Sequence, residues 1–314
     1  MMLEEGRKKV DIVIPVCKPD EKLQRLLNGL QGQTHPAEHI LLIHTKTAGV
    51  SLEWCRAYEN VQIREIMPEE FDHGGTRRLG AAWSEAEFLM FMTQDAVPKD
   101  SYLIEKLLEP FQDPKVGASY ARQLPDKDCR LVECYTRSFN YPQESCVKTE
   151  KDVDKLGIKT FFCSNVCAVY RKSIYEEMGG FVSRAIFNED MILAGTMVKA
   201  GYGIAYAAKA EVIHSHNYSG RQQFHRNFDL AVSQKDHPEI FEGISSESEG
   251  IRLVISTVRY LIKNKKALQI PGLIIQSGCK FWGYKMGMHY EKLPQWLVLS
   301  CTMNKTYWKS QKKL

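Results

Sequence analysis

One aspartate of this 314-residue sequence lies three residues after the end of a short, entirely apolar run. Residues 88–92 read Phe-Leu-Met-Phe-Met, and Thr93, Gln94 and Asp95 come next. If the run is a buried strand of a parallel sheet, Asp95 lies at the carboxyl edge of that sheet, where open α/β folds bind ligands. A carboxylate there can hold a divalent cation such as Mg²⁺, with diphosphate and water as the remaining ligands. The local sequence is equally compatible with an aspartate that caps the following turn.

Two histidines follow the strand that is predicted over residues 204–213. His214 and His216 are separated by one serine, and residues two apart on a strand point to the same face. Both imidazoles can therefore face one ion, and neutral imidazole is a common metal ligand. A pair of surface histidines is the alternative, because the spacing alone supplies no third ligand.

A pair of carboxylates, Glu189 and Asp190, begins a predicted helix. Acidic residues are common in a first helical turn because they complement the helix dipole, and for an isolated pair this interpretation is favoured. The functional interpretation is that one carboxylate is a general base. Proton abstraction from a hydroxyl needs a fixed acceptor within hydrogen-bond distance.

A glycine- and arginine-containing segment leads into another predicted helix. It reads His73-Gly74-Gly75-Thr76-Arg77-Arg78. Consecutive glycines let the backbone approach a ligand closely, and arginines near a helix N-terminus suit an anion. The alternative is an ordinary glycine-rich turn with solvated arginines. The segment matches neither a P-loop nor a G-x-G-x-x-G fingerprint, so it indicates no nucleotide class.

Strands and helices that would position these residues alternate along the chain. Short apolar runs and helically spaced leucines give a β-α-β order, which predicts an α/β fold with a Rossmann-like, mostly parallel sheet and right-handed crossovers. Strands are predicted over residues 10–16, 40–43, 61–66, 88–92, 116–121, 160–170 and 204–213, and helices over residues 23–30, 77–85, 103–108, 173–178 and 189–200. Asp100 is the predicted N-cap of the third helix. The polar segment 126–159 is long for a plain connection and predicts a lid or a substrate-facing excursion.

The C-terminal segment differs in charge from the rest of the chain. The net charge is +4, yet residues 251–314 hold twelve Lys and Arg against the single Glu291, a net +11, which leaves −7 for residues 1–250. Helically spaced apolar residues from Ile251 to Ile262 lie among basic ones, as in helices that lie on anionic membrane surfaces. An amphipathic helix packed on the body is the other interpretation. No nucleic-acid recognition motif accompanies the basic residues, so we expect no nucleic-acid partner.

Composition also predicts where the protein works. Nine cysteines without paired C-x-x-C blocks indicate a reducing cytosol. The longest uncharged runs, of 13 and 12 residues, are too short to cross a bilayer, which needs roughly 18 to 20, and residues 1–6 do not read as a signal peptide. We therefore expect a cytoplasmic protein, attached peripherally to the inner face of the cell membrane through its C-terminal segment.

The order of these features resembles the inverting glycosyltransferases of family 2, which have the GT-A fold, and among them the bacterial rhamnosyltransferases. The likeness covers about residues 8–235. The segments that carry it are Ile14-Pro15-Val16, Phe71-Asp72-His73-Gly74-Gly75-Thr76-Arg77, Thr93-Gln94-Asp95-Ala96, Phe162-Cys163-Ser164-Asn165, Gly179-Gly180-Phe181, Asn188-Glu189-Asp190-Met191-Ile192-Leu193-Ala194 and His214-Ser215-His216-Asn217-Tyr218-Ser219.

The resemblance implies a role for each of the residues discussed above. Asp95 would hold Mg²⁺ or Mn²⁺ on the donor diphosphate, and His214, with His216 beside it, would complete the metal site or contact the diphosphate. Asp190 matches the base that deprotonates the acceptor hydroxyl, with Glu189 as its support. Donor-binding residues implied in the same way are Pro15, Val16, Arg77, Arg78, Gln94 and Arg226.

Two departures from the family pattern bear on the donor. Thr93 replaces the first carboxylate of the Asp-x-Asp metal motif. The second predicted strand continues into His44-Thr45-Lys46-Thr47, where relatives often have an acidic turn that reads the base and ribose. The expected reaction is transfer of L-rhamnose from dTDP-L-rhamnose to a glycan or lipid-linked glycan acceptor in bacterial cell-surface polysaccharide synthesis. A UDP-hexose donor, or a non-catalytic module that binds sugar nucleotides or membranes, are the alternatives.

The chemistry and the domain division follow from this assignment. Negative charge grows on the departing nucleoside diphosphate, where a metal and basic groups stabilise it, while Asp190 takes the acceptor proton in a single inverting displacement. The GT-A catalytic domain is expected over residues 1–235 and the basic amphipathic extension over residues 236–314.

Overall fold

A computed structural model describes residues 6–244 and 247–311 of the chain. Residues 1–5, on which part of the signal-peptide prediction depends, lie outside the described residues. The strands are β1 Val10–Val16, β2 His39–Thr45, β3 Val61–Ile66, β4 Phe88–Met92, β5 Val97–Pro98, β6 Val116–Leu124, β7 Cys146–Lys148, β8 Cys167–Arg171 and β9 Gly203–Ile213. The α-helices are α1 Glu21–Gln31, α2 His73–Trp83, α3 Leu103–Leu108, α4 Leu131–Asn140, α5 Val153–Leu156, α6 Lys172–Glu177, α7 Glu189–Lys199, α8 Gly220–Asp236, α9 Pro238–Phe241, α10 Glu247–Lys263, α11 Ile270–Met288, α12 Gln295–Cys301 and α13 Lys305–Gln311.

The strands form one mixed sheet in the order β3-β2-β1-β4-β8-β6-β9-β5, with β7 pairing with β9. Strand β1 runs parallel to β2 and β4, β2 to β3, and β6 to β9. Strand β8 lies antiparallel between β4 and β6, and the short β5 and β7 are antiparallel to β9. The predicted parallel β-α-β half is confirmed over β1 to β4. The reversal at β8 lies outside the prediction, because the apolar content of a strand does not encode its direction.

Apolar clusters cover both faces of the sheet. On one face Ile12 and Ile14 of β1 pack in one cluster with the four buried leucines of α1. That helix begins after Asp20, whose side chain accepts a hydrogen bond from a backbone N–H of the first turn. On the other face Val13 and Phe91 pack in a second cluster with the buried side of α7. Because both faces are covered, the loops that follow the strands are held in fixed positions.

Two predicted elements differ in extent from the structure. The region 160–170 is predicted as β-rich, but Gly157–Phe161 forms a 3₁₀ helix and β8 begins only after it. Asp100 is not the N-cap of α3. It lies one turn earlier, where its Oδ1 accepts a hydrogen bond from the backbone N–H of Tyr102 at 2.9 Å. A side chain that can cap a turn can also cap a helix, and the sequence does not distinguish the two.

Helix α2 begins earlier than predicted and includes both glycines of the Gly/Arg segment. Its N-cap is Asp72, whose Oδ2 accepts a hydrogen bond from the Gly75 N–H at 2.6 Å. A Cβ at Gly74 would lie 1.9 Å from the carbonyl oxygen of Val182. The close approach that Gly74 permits is therefore to the protein's own backbone, where the sequence interpretation placed a ligand.

The polar segment 126–159 packs against the far edge of the sheet. It contains α4, β7 and α5, and β7 extends the sheet beside β9. The Lys148 side chain is buried and donates hydrogen bonds to the carbonyls of Lys159 and Phe162. Movement of this segment as a lid stays a prediction.

Of the C-terminal helices, α11 and α12 pack on α8, and α10 packs on α4 and α11. Helix α11 crosses α8 so closely that a Cβ at Gly283 would lie 2.2 Å from the Phe224 carbonyl oxygen, and one at Gly287 would lie 2.3 Å from that of Phe228. The predicted basic amphipathic helix is confirmed as α10. In the part of the chain that the structure describes, no helix combines the length and the apolar character needed to cross a bilayer.

Candidate active site

Asp95, His214 and His216 meet beyond the ends of β4 and β9. The short β5, which follows Asp95, pairs with the last residues of β9 and so brings the two loops together. Asp95 Oδ2 lies 3.6 Å from His214 Nε2 and 3.4 Å from His216 Nε2. The three ligand atoms all lie within 4.8 Å of one another. The structure thus brings together the three residues on which the metal prediction rests.

The environment of both imidazoles favours their neutral form. Burial, followed by the positive charge of Arg137, lowers the pKa of His214 well below its usual value. Burial also lowers the pKa of His216, against the opposing effect of Asp95. Two neutral imidazoles and a carboxylate present several lone pairs to one point, and their mutual repulsion is relieved by a cation. The chemistry of this donor set therefore fits a divalent metal ion.

Glu189 and Asp190 occupy the first turn of α7, after Asn188 in the left-handed conformation with φ +62°. Asp190 Oδ2 accepts a hydrogen bond from the backbone N–H of Asn165 at 2.9 Å, and the Asn165 side chain donates to Glu189 Oε1 at 3.3 Å. Burial, followed by the negative charge of Glu189, raises the pKa of Asp190 to about 7. A carboxylate that titrates near neutral pH can take up a proton during catalysis.

Arg77 forms a buried ion pair with Glu189. Its Nη1 lies 3.1 Å from Glu189 Oε1, and the two side chains are only 7% and 8% exposed. The same nitrogen donates a hydrogen bond to the His73 carbonyl at 3.0 Å. Burial alone would raise the pKa of Glu189, but the Arg77 guanidinium, His73 and the hydrogen bonds to the carboxylate together outweigh burial and lower it. Glu189 therefore stays ionised, and its charge adds to the effect of burial in making Asp190 retain a proton more readily.

Hydrogen bonds join the cluster of Asp95, His214 and His216 to the acid pair. His214 Nδ1 lies 3.1 Å from Gln123 Oε1, and Gln123 Nε2 donates to Ser164 Oγ at 3.0 Å. Ser164 is followed by Asn165, which contacts both carboxylates of the acid pair. The two groups therefore share one wall, built from the end of β6 and the loop before β8.

Sequence reasoning assigned no role to Gln123, Ser164 or Asn165. Ser164 and Asn165 lie in the segment 162–165 that carries part of the family resemblance, and that was their only signal. Gln123 had none, because an isolated uncharged side chain near the end of a strand forms no pattern along the sequence.

Comparison with known proteins assigns the chain to a family. The family model described as glycosyl transferase family 2 matches residues 11–179, more than half of the chain. The chain belongs to glycosyl transferase family 2. The O-antigen chain rhamnosyltransferase RfbN of Salmonella typhimurium is 37% identical to it, with 96% of each chain covered. The O-antigen chain rhamnosyltransferase WbaN of Salmonella anatum is 39% identical, over 90% of this chain and 89% of the relative.

Solved structures show the fold of this family 2 glycosyltransferase. The mannosyltransferase PcManGT from Pyrobaculum calidifontis, solved with GDP-Man and Mn²⁺, has a TM-score of 0.60 at 12% identity, over 96% of this chain and 88% of that one. Residues 1–349 of TarS from S. aureus give 0.54 at 13% identity, over 90% and 91%. The predicted GT-A fold with a C-terminal helical extension is confirmed.

The residues predicted to border the nucleoside lie at the end of β1 in this glycosyltransferase. Pro15 and Val16 pair with Ile43 and His44 of β2. Beside them, beyond the ends of β2 and β3, is a cavity of about 430 Å³. Its lining includes His44, Lys46, Thr47 and Glu65. The segment that departs from the acidic family turn therefore forms part of a cavity wall.

Gln94 binds the loop that follows β1. Its Nε2 donates to the Cys17 carbonyl at 3.0 Å, and its Oε1 accepts from the Cys17 N–H at 2.8 Å. The two hydrogen bonds tie the loop after β4 to the loop after β1. They fix the backbone beside Asp95, so the structural role of Gln94 is to hold this loop in place.

The arginines predicted to bind the donor lie in different places. Arg78 is exposed on α2 and donates to the Phe181 carbonyl at 3.0 Å. Arg226 on α8 lies over the rings of Phe187 and Tyr218, at 4.5 and 5.7 Å from the ring centroids. After burial and the charge of Arg137, its positive charge also lowers the pKa of His214 and of His216, so Arg226 lies near these two histidines.

Proposed function

We propose that this family 2 glycosyltransferase transfers L-rhamnose from dTDP-L-rhamnose to a lipid-linked glycan acceptor in cell-surface polysaccharide synthesis. The observation that carries the proposal is its identity of 37% and 39%, over almost the whole chain, to two proteins named O-antigen chain rhamnosyltransferases. A metal-ligating cluster and a proton-accepting carboxylate on one shared wall support the same reaction type.

Donor binding tests the sugar and the nucleotide. Thermal-shift titrations with Mn²⁺ present would compare dTDP-L-rhamnose with UDP-hexoses and GDP-mannose. A ligand at a hundred times its Kd stabilises the folded protein by about 2.7 kcal/mol, so the preferred donor stands out. We expect dTDP-L-rhamnose to give the largest shift. A larger shift with a UDP-hexose would assign the alternative donor.

The described residues divide the reaction between them. Asp190 accepts the proton of the acceptor hydroxyl as that oxygen attacks the anomeric carbon, which inverts the configuration in one displacement. Burial, together with the negative charge of Glu189 that Arg77 holds in place, keeps the pKa of Asp190 near neutrality. Arg226 lies where negative charge develops on the leaving diphosphate. A divalent cation, when bound, would supply Lewis-acid stabilisation of that diphosphate.

We propose that Asp95, His214 and His216 hold this cation, Mg²⁺ or Mn²⁺. Imidazole nitrogen suits transition metals, whereas Mg²⁺ prefers carboxylates and water, so we expect Mn²⁺ to bind about tenfold more tightly or better. Electron paramagnetic resonance of free Mn²⁺, titrated with protein and then with competing Mg²⁺, measures both constants. Asp95→Asn serves as the control and should lose most binding. Equal or tighter binding of Mg²⁺ would contradict the predicted donor set.

The rate of transfer is expected to rise with pH up to about 7 and then to level off. Only ionised Asp190 accepts a proton, so below its pKa kcat/KM should fall about tenfold for each pH unit. The measurement is kcat/KM between about pH 5 and 9. Glu189→Gln removes the neighbouring negative charge and should move the acid limb to lower pH. A rate that is constant, or that falls as pH rises through neutrality, would contradict the assignment of Asp190.

We propose that residues 236–314 attach a catalytic domain, residues 1–235, to the inner face of the cell membrane. Leu268, between α10 and α11, is 98% exposed, and Lys263, Lys265 and Lys266 lie just before it. Further exposed apolar side chains of this segment are Ile251, Ile255, Ile262, Ile274, Ile275, Phe281, Trp282, Trp296 and Met303. An anionic lipid surface complements both the apolar and the basic groups. Pairing with a second copy through this face would oppose two segments that each carry +11.

Replacing Lys263, Lys265 and Lys266 by serine is expected to weaken binding to anionic vesicles by about 100-fold. Each basic residue near such a surface contributes about 1 kcal/mol, and three of them correspond to about two orders of magnitude. Cosedimentation with vesicles containing phosphatidylglycerol, compared with phosphatidylcholine alone, measures the effect. Serine at three exposed lysines of the body, Lys9, Lys115 and Lys209, gives the same change in net charge. Equal weakening by both variants, or no sedimentation of the unmodified protein, would refute the attachment.

A further inference from the structure

Gln123 is a buried amide directly behind a proposed metal ligand. Its side chain is 3% exposed, near the end of β6. Its Oε1 accepts a hydrogen bond from an Nη1–H of Arg137 and lies 3.1 Å from Nδ1 of His214. Its Nε2 donates to Ser164 Oγ at 3.0 Å. All the polar atoms of the amide are therefore engaged in the protein interior.

Arg137 fixes which way this amide points. A guanidinium has only donors, so the Gln123 atom that faces it must be the oxygen. If the amide were reversed, its NH₂ group would oppose the Arg137 N–H groups. Arg137 lies on α4 and is itself held by Glu133 one turn away, with 3.3 Å between Arg137 Nε and Glu133 Oε1.

The orientation of the amide determines the tautomer of His214. Because Gln123 presents an acceptor to Nδ1, that nitrogen must carry the hydrogen. In a neutral imidazole the lone pair is then on Nε2, which is the nitrogen 3.6 Å from Asp95 Oδ2. The opposite tautomer would place an oxygen lone pair against the lone pair of Nδ1, and an N–H where a metal must bind.

We infer that Gln123, itself oriented by Arg137, is a positioning residue that holds His214 in the tautomer able to bind a metal ion. The inference rests on the proposed metal site. It also gives the segment 126–159 a part in metal binding, because Arg137 belongs to that segment. Outer hydrogen-bond partners of metal-ligating histidines act in this way, and their loss typically costs about 10- to 100-fold in metal affinity.

The first test is the affinity for Mn²⁺ alone, measured by electron paramagnetic resonance on the full chain. Gln123→Met keeps the bulk but removes the acceptor, and we expect its Kd to rise about 10- to 100-fold. Gln123→Glu still accepts from both donors and should bind Mn²⁺ at least as tightly as the unmodified protein. Gln33→Met is the matched control. Gln33 is buried, and its amide donates hydrogen bonds to the carbonyls of Gly29 and Asp100. Removing this amide should leave the affinity for Mn²⁺ unchanged.

The second test reads the tautomer directly. Long-range ¹H–¹⁵N spectra of metal-free protein labelled with ¹⁵N-histidine distinguish protonation at Nδ1 from protonation at Nε2, and His214→Gln assigns the signal. We expect the Nδ1–H form in the unmodified protein and in Gln123→Glu. In Gln123→Met we expect a mixture or the Nε2–H form. A general loss of stability would not move the tautomer of a folded protein.

The outcomes separate this inference from the proposed metal site. If Gln123→Met binds Mn²⁺ with unchanged affinity and keeps the Nδ1–H form, while Asp95→Asn loses binding, the positioning role is wrong and the metal site stands. The same conclusion follows if Gln33→Met weakens binding as much as Gln123→Met. If the unmodified protein binds no Mn²⁺, both the proposed metal site and the positioning role of Gln123 are wrong.

Discussion

Asp190→Asn is expected to lower kcat for sugar transfer by about 10²- to 10⁴-fold, the range that general-base catalysis contributes. The amide has nearly the same shape as the carboxylate, and its oxygen can still accept the hydrogen bond from the Asn165 N–H. It takes up no proton at neutral pH, so the acceptor hydroxyl stays a poor nucleophile. Donor binding should be unchanged, because Asp190 faces the acceptor in the proposed mechanism. Steady-state rates and donor titrations measure the two effects separately.

A second buried aspartate provides the control for this experiment. Asp11 is the second residue of β1, at the opposite end of the sheet, where it accepts hydrogen bonds from Ser84 and His39. Asp11→Asn should cost stability but leave kcat within a few-fold. Transfer that survives in Asp190→Asn would remove Asp190 from the mechanism. Absence of transfer in the unmodified protein, with every donor tried, would favour a non-catalytic binding module.

The framework of the site could be predicted because it depends on patterns that are local in sequence. The apolar run 88–92 and the segment 204–213 both form strands, as predicted. The polar residues that follow these two strands lie at one edge of the sheet. Asp95, His214 and His216 therefore lie at the edge of the sheet where the sequence predicts them. The start of α7 placed the acid pair in the same way.

The partners that set the chemistry could not be predicted, because each is distant in sequence and buried. Gln123 reaches His214 across 91 positions. From the sequence, Arg77 is predicted to be a cation at a helix start that faces solvent or a ligand. Only the packing of α2 against α7 shows that it neutralises Glu189. A charge pattern along the chain reports where cations are. It does not report which of them are desolvated.

Arg77→Met is expected to lower the free energy of unfolding by about 3–5 kcal/mol, the usual cost of removing one partner of a buried ion pair. The side chains of Arg77 and Glu189 are almost fully buried, so the remaining carboxylate would be an uncompensated charge in the protein interior. Methionine has similar length and packs without a charge, which limits any cavity. Urea unfolding should show a lower midpoint with an unchanged m-value.

The double variant decides whether the ion pair, and not the bulk of Arg77, accounts for this loss. Glu189→Gln removes the charge that Arg77→Met would leave unpaired, so the double variant should be more stable than Arg77→Met alone. Arg78→Met, at an exposed position with one hydrogen bond to the Phe181 carbonyl, should cost much less. The donor-binding role that the resemblance implies for Arg77 makes the opposite prediction. If Arg77→Met left the unfolding midpoint unchanged but abolished donor binding, Arg77 would act on the donor phosphates and not as the partner that stabilises buried Glu189.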